Sequence, residues 1–255
     1  MNASGGLVVD SSRALVLARC VGERPFIDAP LATFEIRAGS RVHAYESQFT
    51  GQPGMEAISL SSSFLECFGS SATGGDGLNA VPPFLACQNG GDGLVLDGAS
   101  SRAVLLDSVL AGGAGGLPNC ASGQGLVVLA GSATTLTGIH HAYQVSSPAR
   151  EGETVTGTIR GNPGNLAWIH YSSAPGPGLS SPLFDGELLL AAPVQSFFAG
   201  VIPASGVLAV SASAPALAPG AESATFFSQA VLRDAATGRF RVGSPSTLVI
   251  LDGSF

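Results

Sequence analysis

Along the first 140 residues, short aliphatic runs alternate with turns of Gly, Ser and Asp in a pattern that returns on itself. The clearest copy is residues 91–112, GDGLVLDGASSRAVLLDSVLAG. A Gly-Leu-Val-aliphatic strand leads through a small-residue turn into a second aliphatic strand, which ends in a polar residue shortly before glycine. The same succession starts at Gly6-Leu7-Val8-Val9-Asp10, Phe34-Glu35-Ile36, Ala57-Ile58-Ser59-Leu60 and Gly125-Leu126-Val127-Val128. Gly93 and Gly125 are 32 residues apart, and Gly6 and Gly93 are 87 apart, three steps of 29. A period of that order suits one turn of a parallel β-helix, whose strands stack on those above and below at about 4.8 Å. Residues 1–143 are therefore expected to form about five such coils.

Runs such as LVVD and AVLLD need not alternate strictly, because each coil pairs its backbone with both neighbours. Leucine-rich repeats would want a helical segment, and propeller blades would want four strands per repeat; neither is present. The insertions after the second strand, residues 70–83 and 112–118, are rich in Gly, Ser and Pro and read as loops along one flank, where a cleft would form.

After Tyr143 the repeat stops. Residues 144–152, QVSSPAREG, read as a polar joint. Residues 153–255 then hold seven or eight short strands between turns such as Gly161-Asn162-Pro163-Gly164 and Ala174-Pro175-Gly176-Pro177-Gly178, the signature of an antiparallel β-sandwich. The fold class expected is thus all-β throughout.

Composition supports a folded, strand-rich chain, with 35 Gly, 45% hydrophobic and only 11% charged residues among 255. All eleven basic residues are Arg and the net charge is −7. That balance makes nucleic acid or an anionic membrane surface an unfavourable partner. No apolar run reaches the roughly 18 residues of a membrane helix. The first residues, MNASGGLVVDSS, lack the pattern of a secretory leader, and the repeat starts without a cap. A leader and earlier coils lost from a longer protein are expected on that ground, as is self-association through an open N-terminal coil.

The strand ends follow L-x-L-x-[DE]-[CS]-x-x-G in residues 15–22 and 104–112, and in this the coils resemble the right-handed parallel β-helix proteins of the pectate-lyase-like superfamily. The tail resembles a C-terminal domain of about 100 residues in secreted planctomycete and myxobacterial proteins. Gly157-Thr158-Ile159-Arg160-Gly161-Asn162-Pro163-Gly164, residues 183–190 and Phe227-Ser228-Gln229-Ala230-Val231-Leu232-Arg233-Asp234 carry that likeness. The two resemblances imply a secreted or surface-displayed bacterial protein, and they name no reaction.

Candidate chemistry is sparse. Cys87 and Cys120 stand at matched positions before the fourth and fifth coils, close enough for a disulfide between stacked loops; two free thiols, or a bridge from Cys67 to Cys87, are the alternatives. Cys20 and Cys67 fall at the strand-end position that Ser47 and Ser108 also fill, which reads as an inward stack of small side chains. Just before that position lie Arg19, Glu46, Glu66 and Asp107. In register these would form an outward row of carboxylates, the arrangement by which enzymes of this fold cleave polysaccharides or hold Ca²⁺ beside an Arg; a solvated outer face is the plainer reading. Gly90-Gly91-Asp92-Gly93 reads as a tight turn, His140-His141 as a loop pair, and Asn2-Ala3-Ser4 as a bare glycosylation sequon. Trp168 shares a strand face with His170, and Ile169 shares the other with Tyr171; Trp168 is expected in the sandwich core, although Trp168 and Tyr171 could stack on a sugar. Spacing for a zinc site, a nucleophile elbow or a phosphate loop is lacking.

These features predict a secreted or cell-surface structural and interaction protein, with a polysaccharide or another surface protein as partner and no cofactor beyond an occasional Ca²⁺. A polysaccharide lyase or glycoside hydrolase working along the flank is the alternative.

Overall fold

The computed structural model describes residues 2–3, 7–12, 15–23, 33–80, 86–179 and 181–253. Every regular element among them is a β-strand. The chain divides into two compact units, residues 1–138 and 139–255.

The first unit contains three parallel five-stranded sheets that the chain visits in strict rotation. The first holds Asn2–Ala3, Val21–Glu23, Gln48–Pro53, Ser71–Gly75 and Val109–Ala111. The second holds Leu7–Asp10, Phe34–Arg37, Ile58–Ser61, Leu94–Asp97 and Leu126–Val128. The third holds Leu15–Ala18, Arg41–Tyr45, Phe64–Phe68, Arg102–Leu106 and Ser132–Leu136. The expected register of the leading strands appears directly: Leu7 pairs with Phe34, Phe34 with Ile58, Ile58 with Leu94 and Leu94 with Leu126. Alternate residues of the second and third sheets point inward, and Phe34, Ile36, Val42, Ala44, Ile58, Leu60, Leu65, Leu94 and Leu96 form one dry core.

Serines close the bends. At one corner Ser12 N–H donates to Ser40 Oγ (3.1 Å), Ser40 N–H to Ser63 Oγ (3.1 Å) and Ser62 N–H to Ser101 Oγ (2.8 Å). At the next corner Cys20 N–H donates to Ser47 Oγ (3.2 Å) and Ser47 N–H to Ser70 Oγ (3.0 Å). Each hydroxyl satisfies a backbone group that the turn has taken out of the ladder. Cys67 is therefore not a member of this stack. It lies mid-strand in the core, paired between Ala44 and Leu105, and Ser70 takes the corner.

The glycine-rich insertions are built differently from the loops expected of them. Residues 71–75 are a strand of the first sheet. Beyond it the hydrogen bonds recur every third residue: Gly77 N–H to Ala114 O and Ala80 N–H to Leu117 O, then Gly90 N–H to Ala121 O and Gly93 N–H to Gln124 O. Side chains repeat the step, because Asp76 and Asn79 accept from Ala114 and Leu117 while Asn89 and Asp92 accept from Ala121 and Gln124. Three residues per turn is the period of polyproline II, which has no internal hydrogen bonds and must find them in neighbours. Glycine is required where segments touch. A Cβ on Gly91 would stand 1.9 Å from Met55 O, and one on Gly113 would stand 2.1 Å from Gly75 O. The polar groups of these insertions thus hold the insertions together rather than lining a cleft. Residues 81–83 of the first insertion lie outside the described residues.

The second unit has a three-stranded antiparallel sheet, ordered Tyr143–Val145, Thr154–Arg160, Val207–Ser213. A larger sheet is ordered Ala149–Arg150, Phe240–Leu251, Ser223–Arg233, Leu166–Ser172, Gln195–Val201, and a short pair joins Pro175–Leu179 to Leu188–Leu190. The facing sides of the two larger sheets share a core of Ile159, Ala167, Ile169, Ala230 and Leu232. Residues 144–152, read above as a joint, take part in this unit. Tyr143 pairs with Ile159, Ala149 with Ile250, and Ser147 Oγ accepts from Val249 N–H at 3.0 Å. Polar composition and Pro148 make the stretch look like a linker, yet its backbone pairs with Thr154–Arg160 and, a hundred residues on, with Phe240–Leu251.

Candidate functional site

Arg19, Glu46 and Asp107 occupy the same corner on the first, second and fourth turns. Each has a left-handed backbone, with φ of 53°, 49° and 49°, and Arg19 and Glu46 donate their N–H groups to Tyr45 O and Phe68 O at the neighbouring strand ends. The fourth member of that column is Gly69 (φ 59°), not Glu66. Glu46 is bonded to Arg19 Nε at 2.8 Å, and Asp107 lies two strands further along, about 10 Å from Glu46 by the parallel spacing. The column sits on the outside of a bend.

Glu66 is three residues before that corner, on the outward side of the third sheet, between His43 and Val104. Its carboxylate is nonetheless 2% exposed, and Oε2 lies 2.8 Å from His43 Nδ1 and 3.4 Å from the Tyr45 hydroxyl. Phe64 meets His43 edge-on and carries the Arg41 guanidinium 4.5 Å above its ring. This buried Glu-His-Tyr group was not visible in the sequence as a group. The three residues come from adjacent turns, and only the true register brings them together.

Cys87 and Cys120 form a disulfide with Cα atoms 5.9 Å apart, joining the two polyproline-like excursions. Cys20 and Cys67 are free. Burial pushes the Cys67 thiol up to about 11, so it has the character of a core side chain. No group of three or more His, Cys, Asp or Glu able to hold a metal exists among the described residues.

In the second unit the strand alternation around Trp168 holds, but the core shared by the two larger sheets lies on the other side, and the Trp168 side carries a separate buried cluster of Leu188, Leu190, Val231 and Val242. Ile169 and Tyr171 face the three-stranded sheet, whereas Trp168 is half-buried on the opposite face, 5.4 Å from Phe198 and 6.1 Å from Phe240, with Phe184 continuing the row. Phe198 is 54% and Leu183 66% exposed, which makes this row a continuous apolar surface beside the edge strand Gln195–Val201.

His140 and His141 lie in the loop before Tyr143–Val145, as expected of the pair, and both are buried. Near them Gln229 accepts from Leu189 N–H (2.5 Å) and donates to Gly243 O (3.2 Å), while Arg239 Nε donates to Asp185 Oδ1 (3.1 Å). Neither ring nitrogen of His141 finds a hydrogen-bond partner among the described residues. Burial, then Arg241 and His140, lower its pKa from 6.5 to about 4, against a smaller opposing pull from Asp234. The unfolded chain therefore binds a proton here between pH 6.5 and 4 that the folded chain refuses. Stability from this group is complete above pH 6.5 and is lost as the pH falls through that window, by about 3 kcal/mol in all. Chemical denaturation at pH 7 and pH 4.5 should show the loss, and His141→Leu should flatten it; His170, lowered by burial in the same direction, accounts for a smaller residue of the slope.

No protein-family model matches the chain, and no curated protein matches it.

Proposed function

We propose that the protein is a secreted or cell-surface structural and interaction protein without catalytic activity. In this reading the first unit is a short right-handed parallel β-helix serving as a rigid platform. The second is a β-sandwich acting as a cap, adhesion or sorting module toward a polysaccharide or another surface protein. The placement of the carboxylates carries the proposal. A glycoside hydrolase needs two acids facing one substrate across a cleft, and a lyase that holds Ca²⁺ needs its acids clustered beside a basic residue. Here Glu46 is bonded to Arg19 on the outside of a bend, Gly69 leaves a gap before Asp107, and Glu66 is buried against His43. The disulfide supports an oxidising compartment, and the aromatic row around Trp168 supports a surface that meets a partner.

The test combines a glycan array with reducing-sugar and unsaturated-product release on the purified chain. Binding without release is the expected result. Release that Glu46→Gln or Asp107→Asn abolishes would replace this reading with the lyase or hydrolase one.

A further inference from the structure

The core of the second unit is not continuous. One cluster gathers around Ile159, Ile169 and Leu232, and a separate one around Val155, Ala214 and Ile250; Val145 touches both. Between them, opening at the surface, lies a cavity of about 340 Å³. Its origin is legible in the side chains. Gly157 and Ala212 on the smaller sheet and Ser228 on the larger one stand where a filled core would carry branched aliphatics. Native interiors rarely leave space on this scale, and cavities that hold small ligands begin at about 300 Å³.

The walls define what fits. Tyr143, Tyr171, Phe197 and Phe226 supply aromatic surface, the remainder is mainly aliphatic, and among the described residues no charged side chain lines the space. An ionised ligand would find no counter-charge there. The polar side chains of the lining are Ser211, Ser213, Ser228 and the two tyrosines; Ser228 lies beside Tyr143 and donates to Ser246 O at 3.3 Å. The Tyr171 hydroxyl is already engaged by Gln195 Oε1 at 2.6 Å. Water needs two to four polar partners to be held well, so an apolar occupant displaces it at little cost.

We propose that this cavity is a binding site for a neutral, mainly apolar small molecule of roughly fifteen to twenty non-hydrogen atoms, with one hydrogen-bonding group directed at Tyr143 and Ser228. The site is independent of whether the first unit is a platform or an enzyme, so the glycan experiment and this one fail separately.

N-phenyl-1-naphthylamine, a neutral apolar fluorophore within that size range, is the probe, titrated into the full chain. One saturable site per chain with enhanced emission is expected, together with a rise in melting temperature at saturation. Ala212→Leu, two residues beyond Val210 on the same face of its strand, should fill the cavity and weaken binding at least tenfold without lowering the melting temperature. Ala209→Leu, on the opposite face of that strand, should leave affinity within twofold. If Ala212→Leu does not fold, Gly157→Ala serves instead. Its new methyl stands 3.0 Å from Val210 Cγ2 and 3.6 Å from Tyr143 Cε2 and should weaken binding several-fold. Absence of saturable binding overturns the proposal. So does wild-type affinity in the filled variants, or loss of binding in Phe198→Ser, which would place the probe on the outer aromatic row.

Discussion

Glu66→Ala is expected to destabilise the chain by about 3–5 kcal/mol, the range seen when one partner of a buried pair is removed. Its carboxylate is 2% exposed and lies 2.8 Å from His43 Nδ1, with the Tyr45 hydroxyl at 3.4 Å. Truncation takes away the acceptor that this buried imidazole and hydroxyl share, and it opens a void beside Phe64 and Phe68. The cost comes mainly from what is left behind, so His43→Leu/Glu66→Leu should be more stable than either single variant. Urea denaturation of wild type, both singles and the double would give the coupling. Additive losses would mean that the two side chains are stabilised separately and that the pair has no role in fixing the third sheet. Glu66→Gln, which keeps the shape and an acceptor oxygen, should fall between wild type and Glu66→Ala.

The same residue shows where sequence reasoning stops. Glu66-Cys67-Phe68-Gly69 imitates the strand end Arg19-Cys20-Val21-Gly22, and nothing local distinguishes them. What decides is that Gly69 adopts the left-handed corner which Arg19, Glu46 and Asp107 fill elsewhere, so the strand runs three residues further before it bends at Ser70. Glycine takes that conformation at no steric cost, whereas its neighbours in the column bear it with side chains turned outward. Leading strands were readable because Leu7, Phe34, Ile58, Leu94 and Leu126 each follow a small residue or turn and stack in one register, the last four of them on one core. The strands of the first sheet were not. Gln48–Pro53 and Ser71–Gly75 carry Gln, Thr, Gly and Pro; each sends only a short apolar contribution into the core, Phe49 and Ala72, and the rest of each strand is held by backbone ladders. In the second unit the strands themselves were visible as alternating runs. Which face of Leu166–Ser172 was interior was not, because both faces carry aromatic or aliphatic side chains and the outer one packs on its own hydrophobic row.

Opening the Cys87–Cys120 bridge, by reduction or by Cys87→Ser/Cys120→Ser, is expected to cost about 4 kcal/mol. The loop-closure relation for residues 33 apart gives that figure. The place of the bridge argues that this loss appears locally first. The excursions it joins have few buried side chains, and glycine, with the largest backbone entropy to lose, supplies many of their positions. Their order rests on hydrogen bonds between segments: Gly91 N–H to Gly75 O, Gly113 N–H to Gly91 O and Gly123 N–H to Gly113 O, a relay that must assemble together. Amide exchange at Gly91, Gly113 and Gly123 should therefore accelerate in the reduced chain well before exchange at Leu94 or Leu96, whose strand is buried in the core. Equal exchange at both sets would mean that the excursions stand on packing alone and the bridge is incidental. If the glycine amides open first, the chain in a reducing compartment would keep its three sheets but lose the ordered flank beside them. The covalent link would then be what makes that flank a fixed surface, which is the property a secreted platform requires.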